Sequence, residues 1–314
     1  MEQARRVSPR SVELTVASAK RFLAKPEHRI DLDELVAAEA DKVAAFVTQK
    51  EVGQGRWEET AYRNRVRRVE AAVEALAKIS GVMGRWGNDT EYRAVCDLVR
   101  AMYADAKRDW NGLVAYLHLR GYAAVLVTAA YSLGLIRAQR WNILRQFFDA
   151  QITRQERQPV TIADCLTPGC WDGAERDTWQ HLEGLERRPT PLSDHLLDVF
   201  TEWGKSFLGS TSDMVLLFER FEVLGSLAVF GQRYDLATLQ KAKMEADRGQ
   251  QFAYAPTGRF VWDWDNYRVL AQEMNDDATY KSALLNAGFA RGSPDMVPVF
   301  LETLEQAADR MRWS

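Results

Sequence analysis

The sequence predicts an all-α protein, either a multi-helix bundle or a short helical repeat of stacked hairpins. Three observations carry that expectation. Apolar residues recur every three or four positions, as in Tyr62, Val66, Val69, Val73 and Leu76, which puts them on one face of a helix. Capping patterns precede several such segments. The clearest is Asn88-Asp-Thr-Glu91, in which a glutamate three positions after the cap can close a capping box. Only 9 of 314 residues are proline, below the usual ~5%, so few positions interrupt a helix. No alternating Val/Ile runs flank an Asn-Gly or Asp-Gly turn, so no sheet is expected.

The elements follow in order. Ser8-Pro9 reads as a cap and first helical residue, and Pro26 stops that helix near Lys25. Asp31 with Glu34 marks the next start, and its apolar stripe runs through Leu32, Val36, Val43 and Val47 to a break at Gly53 and Gly55. The helix of Tyr62–Leu76 carries the basic run Arg63, Arg65, Arg67 and Arg68 beside Glu70 and Glu74. The helix opened by Asn88 buries Val95, Leu98 and Val99. An apolar stretch then begins near Trp110 and peaks over Tyr122–Ile136. Apolar on nearly all sides, it reads as a buried central helix. It is too short for the ~20 apolar residues of a membrane span.

Pro159, Pro168, Pro189 and Pro191 cluster in one region. They define a connection over 154–191, with one short helix near 173–185, between an N-terminal lobe (1–153) and a C-terminal lobe (192–314). In the second lobe Ser193 is placed as the cap of a helix to Phe207. Thr211 or Ser212 caps a long apolar helix that Gly231 ends, and Asp235–Ala246 forms another. The last helix starts between Ser293 and Pro298 and runs to about Met311.

With 41 Lys+Arg against 44 Asp+Glu, the net charge of -3 argues against a protein whose main work is gripping nucleic acid. Three cysteines, Cys96, Cys165 and Cys170, show no disulfide framework, and no apolar stretch follows Arg5 and Arg6. A cytoplasmic protein without a secretory signal is expected.

The search for chemistry yields few candidates. No glycine-rich phosphate loop and no G-x-S-x-G elbow occur. Gly204-Lys205-Ser206 continues a helix and is rejected as a loop. Cys165, Cys170 and His181 lack the paired spacing of a zinc site, so no metal and no cofactor is expected. Asp263 and Asp265 lie among Trp262, Trp264 and Tyr267. Carboxylates beside indoles can be desolvated into acid catalysts; the plainer reading is an aromatic loop packed between helices with its carboxylates in water. The three aromatics are also interaction candidates, since Trp and Tyr are enriched at interfaces. Arg63, Arg65, Arg67 and Arg68 are the candidate nucleic-acid patch, against a plainer reading as a solvated helix face with intrahelical ion pairs. The string Arg176-Asp-Thr-Trp-Gln-His181 resembles the R-x-x-x-x-H signature of HEPN ribonucleases. That resemblance implies His181 as proton shuttle and Arg176 as phosphate holder.

Three further segments, Phe218-Glu-Arg-Phe-Glu222, Tyr254-Ala-Pro-Thr-Gly-Arg-Phe-Val-Trp262 and Ser193-Asp-His-Leu196, with the apolar helix from Gly121 through Leu144, carry another resemblance. Over about residues 90–310 the chain resembles a helical region of bacterial, especially actinobacterial, multidomain proteins, where it follows an effector or ATP-binding domain of sirtuin-like, Schlafen-like or related type. The resemblance implies a role in antiphage defence; the chain departs from it in having no recognisable effector domain. The expected function is a non-enzymatic helical module, acting as sensor, adaptor or scaffold. Its partner would be another protein, such as an effector or ATPase subunit. A HEPN-type ribonuclease and a nucleic-acid-binding helical module are the alternatives.

Overall fold

Two long parallel helices organise the fold. In the computed structural model, α3 (Glu59–Trp86) and α5 (Val114–Arg137) lie side by side in the same direction. Tyr62 stacks near Tyr116 at their N-terminal ends, the Tyr122 hydroxyl donates to Glu70 midway, and Gly81 and Gly84 meet Gly134 and Tyr131 towards their C-terminal ends. The glycines explain the closeness. A methyl at Gly84 would overlap the Tyr131 carbonyl, and one at Gly134 would overlap that of Gly81. Only residues without a side chain let the two backbones touch.

The structure describes residues 9–49, 55–108, 111–152, 160–210, 213–246 and 252–313. Among these it has fourteen α-helices and four short 3₁₀ turns, with no strand beyond the isolated bridge of Gln151 with Thr161. The fold class read from the sequence is therefore observed. Leu126, Tyr131 and Leu135 are fully buried, as the apolar pattern requires. α5 is long and apolar enough by length and composition to cross a membrane, and its apolar window is wholly covered by the rest of the protein.

α1 (Pro9–Leu23) and α2 (Arg29–Val47) pack on α3, burying Val12, Val16, Val36 and Val43. α4 (Asp89–Ala106) packs on α5 and begins with the expected capping box of Asn88 and Glu91. Several boundaries differ from the sequence reading. A 3₁₀ turn over Pro26–His28 runs straight into α2, so Asp31 falls inside its first turn and bonds His28 at 2.7 Å instead of capping. Ser8, Gly53 and Trp110 lie outside the described residues, and α5 starts at Val114.

The connection is a folded part of the protein. It holds α7 (Ile162–Leu166) and α8 (Arg176–Trp179), and Trp171 and Trp179 are buried against Tyr122. α8 is one turn long, much shorter than the 173–185 expected. The chain continues as α9 (Pro191–Trp203), α10 (Met214–Arg233), α11 (Leu236–Glu245), α12 (Trp264–Asp276), α13 (Ala278–Asn286) and α14 (Met296–Trp313). α9 begins at Pro191, so Ser193 sits in its first turn. Thr211 and Ser212 lie outside the described residues; Asp213 caps α10 by accepting from the Leu216 N–H at 2.8 Å. α10 passes Gly231 and ends at Arg233. It packs on α5 and on α6 (Trp141–Asp149), so the buried apolar side chains form one continuous cluster through both halves.

Candidate functional site

A cleft of about 330 Å³ opens where the turn between α5 and α6 faces α10, α12 and α13. One wall holds Ile136, Arg137, Gln139 and Trp141; the other holds Leu217, Arg220, Glu273, Asp277, Thr279, Tyr280 and Ala283. The turn is built by the end of α5. Arg140 N–H bonds the Leu135 carbonyl at 2.9 Å and Gln139 N–H that of Ile136 at 3.0 Å, the helix-ending pattern in which the residue between is left-handed. That residue is Gln139, at φ 54°, where glycine is the usual occupant. A left-handed non-glycine residue costs about 1–2 kcal/mol, and here it places a side chain on the cleft rim.

The far wall is partly satisfied from within; its buried Arg220 Nε has no hydrogen-bond partner among the described residues. Arg220 Nη2 pairs with Glu273 at 2.5 Å. Asp277 caps α13, accepting from the Thr279 and Tyr280 N–H groups at 2.9 and 3.0 Å. Tyr280 meets Trp141 edge-on across the cleft, ring centres 5.4 Å apart. Aromatic walls with a few fixed polar groups are the usual make-up of a binding pocket, and such pockets favour junctions between structural units.

Behind α10 lies a second constellation. The Arg259 guanidinium bonds Glu219 at 2.6 Å, Asp263 at 2.8 Å and Asp194 at 3.3 Å, while its backbone N–H donates to Glu222 at 2.9 Å. One cation thus faces four carboxylates. Burial pushes Glu222 up to about 8 and Glu219 up to about 7, against an ordinary 4.5, and raises Asp194 too. Gly258 is required beside this group because a Cβ there would run into the Glu222 carboxyl. Glu219 is fully buried and Glu222 nearly so. The cluster ties α9, α10 and the 254–263 loop together, with one buried oxygen on each of Asp194, Glu219 and Glu222 left without a hydrogen-bond partner among the described residues.

The residues singled out from sequence are dispersed. Arg63 donates to the His181 carbonyl at 2.6 Å and pairs with Glu59. Arg65 lies flat on Tyr116, 3.7 Å from the ring centre, and Arg68 is near Phe46. Arg67 and Arg68 are exposed, so the four arginines do not present one basic face. Arg176 opens α8, whereas His181 lies beyond its end, against Trp57 and 3.5 Å from Glu59. The two do not share a helix. Trp262 is half-buried and donates to the Thr190 hydroxyl at 2.8 Å. Trp264 stacks on Tyr267, which is buried with its hydroxyl on the Leu301 carbonyl. These aromatics hold the C-terminal half together. Asp265 is exposed, and Asp263 belongs to the Arg259 cluster.

The sequence did contain a signal for the buried acids: Glu219 and Glu222 sit three apart, with Arg220 between them, in a helix that is otherwise apolar from Met214 to Gly225. The three segments that carried the resemblance, around Ser193, Phe218 and Tyr254, all contribute to that cluster. No family model, curated protein or solved structure matches the chain.

Proposed function

We propose that the protein is a helical interaction module that takes a segment of another polypeptide into the cleft between the α5–α6 turn and α10, α12 and α13. The observation that carries this reading is the cleft itself: an aromatic pair, the apolar side chains Ile136, Leu217 and Ala283 among polar ones, and a rim residue held in a left-handed conformation. A strained residue persists where the surrounding structure enforces it, and such positions cluster at binding sites. The buried acid cluster around Arg259, by contrast, joins α9, α10 and the 254–263 loop. The reading is therefore of an adaptor or sensor rather than an enzyme. An effector or ATPase subunit in a bacterial, cytoplasmic defence assembly is the kind of partner that the resemblance over residues 90–310 implies.

The test is co-purification of the tagged full chain from its own cells, quantified by mass spectrometry. Ala283→Trp fills the cleft. Polypeptides retained by wild type and by the distant surface variant Lys241→Glu, yet lost from Ala283→Trp, are the expected result. Identical recoveries from all three proteins contradict the reading.

A further inference from the structure

The parallel arrangement of α3 and α5 has an electrostatic consequence at the cleft. Both helices end at the same corner, which also receives Arg85, Arg137 and Arg140. Arg140 Nη1 caps the end of α3 through the Gly84 carbonyl at 2.9 Å. Arg85 Nη1 reaches the Phe207 carbonyl at 2.8 Å. Arg137 reaches those of Leu208 and Ser210 at 3.3 and 3.5 Å. All three partner sets are main-chain carbonyls; among the described residues none of these arginines pairs with a carboxylate. Each helix end contributes about −0.5 of a charge, so the two offset roughly one of three positive charges. Burial, and then the nearby Arg137, hold the Arg85 guanidinium below its ordinary value.

The cleft lining itself carries two cations, Arg137 and Arg220, and two carboxylates, Glu273 and Asp277. Glu273 is taken by Arg220, and Asp277 by the start of α13. Arg137 is the exposed cation at the rim, beside the Trp141–Tyr280 pair.

We propose that the cleft selects an acidic polypeptide segment, with a partner carboxylate on Arg137 and a neighbouring aromatic or apolar side chain against Trp141 and Tyr280. This rests on the interaction-module reading and specifies the partner's chemistry. A carboxylate would gain a charge-assisted bond at the exposed guanidinium, and the positive corner would speed its approach. A polyanion such as RNA fits less well, because of the three arginines at the corner only Arg137 is exposed, and a run of phosphates needs several cationic contacts.

The experiment is selection of a phage-displayed random-peptide library on the immobilised full chain, followed by fluorescence titration of the enriched peptides. Enriched sequences should carry Asp or Glu next to an aromatic residue. Their binding should weaken about ten-fold with Arg137→Gln, as loss of a charged hydrogen bond implies, and should largely survive Arg137→Lys. Replacing the peptide's Asp and Glu by Asn and Gln tests the same contact without altering the protein. Enrichment of neutral or basic peptides overturns the acidic specificity while leaving the interaction module standing. No enrichment of any peptide overturns both. Arg137-dependent binding of a single-stranded oligouridylate in place of peptides overturns the proposal in favour of nucleic acid.

Discussion

Asp194 and His195 are consecutive residues in the first turn of α9, and they bind opposite halves of the protein. The Asp194 carboxylate joins Arg259 at 3.3 Å in the C-terminal cluster. His195 Nε2 meets Glu70 of α3 at 2.5 Å. Neighbours on a helix point about 100° apart, so one short turn can serve both sides. Ser193, buried just before this pair, lies close enough to the Glu222 carboxyl to favour its charged form. The start of α9 is therefore the pin between the two halves.

The Arg259 cluster makes stability depend on pH. Glu222 is raised to about 8 and Glu219 to about 7 from 4.5. Between the unfolded and folded values the native protein holds protons that the unfolded chain has released. By linkage, stability falls as pH rises through that window and levels off above it. Thermal melts should show a midpoint that declines from pH 5 to pH 8, with a shallower decline in Glu222→Gln. A midpoint that climbs over the same range contradicts the assignment.

Glu70 serves two partners, accepting from the buried Tyr122 hydroxyl at 3.0 Å as well as meeting His195. Glu70→Ala orphans that hydroxyl, at a cost of about 1–3 kcal/mol. Adding Tyr122→Phe should recover part of the loss, because the unpaired group is then gone. A double variant no more stable than Glu70→Ala in denaturant melts would show that Tyr122 does not depend on this carboxylate.

Leu126 is fully buried in α5, and Leu126→Ala should cost about 2–5 kcal/mol. Gly84→Ala acts by the opposite mechanism, forcing α3 and α5 apart, with an expected cost of about 1–3 kcal/mol. Urea titrations measure both. A neutral Gly84→Ala would mean that the helices can separate without loss, contrary to the close packing at Gly81, Gly84 and Gly134.

Arg176 and His181 are separated by the end of α8, and His181 packs on Trp57. The expected result with labelled single-stranded RNA and no added metal is no cleavage, either by wild type or by Arg176→Ala with His181→Ala. Cleavage by wild type alone would establish the HEPN-type alternative.

Much of the fold was legible because helices announce themselves locally. The stripe from Tyr62 to Leu76, the Asn88 capping box and the all-apolar Tyr122–Ile136 each rest on residues within a few turns of one another. Boundaries set by tertiary contacts were less legible. Ser193 has the composition of a cap but faces Glu222, and Asp31 lies within a helix already started by the turn at Pro26. Asp263 and Asp265 stood out in the sequence by their neighbouring tryptophans, with carboxylates in water as the plainer reading, whereas burial in α10 is what shifts Glu219 and Glu222. The cleft was not legible at all. Its walls come from residues near 137, 217 and 280, which only the packing of α5 on α10 brings together.

The most direct test of the interaction module is site-specific photo-crosslinking in the protein's own cells. A benzophenone amino acid replaces exposed Thr279 on the cleft and, as control, exposed Lys241 on α11. The account predicts a discrete polypeptide adduct from Thr279 that disappears when Ala283→Trp is added, and no such adduct from Lys241. Equal labelling at both positions, or an adduct that persists in the filled cleft, would contradict it.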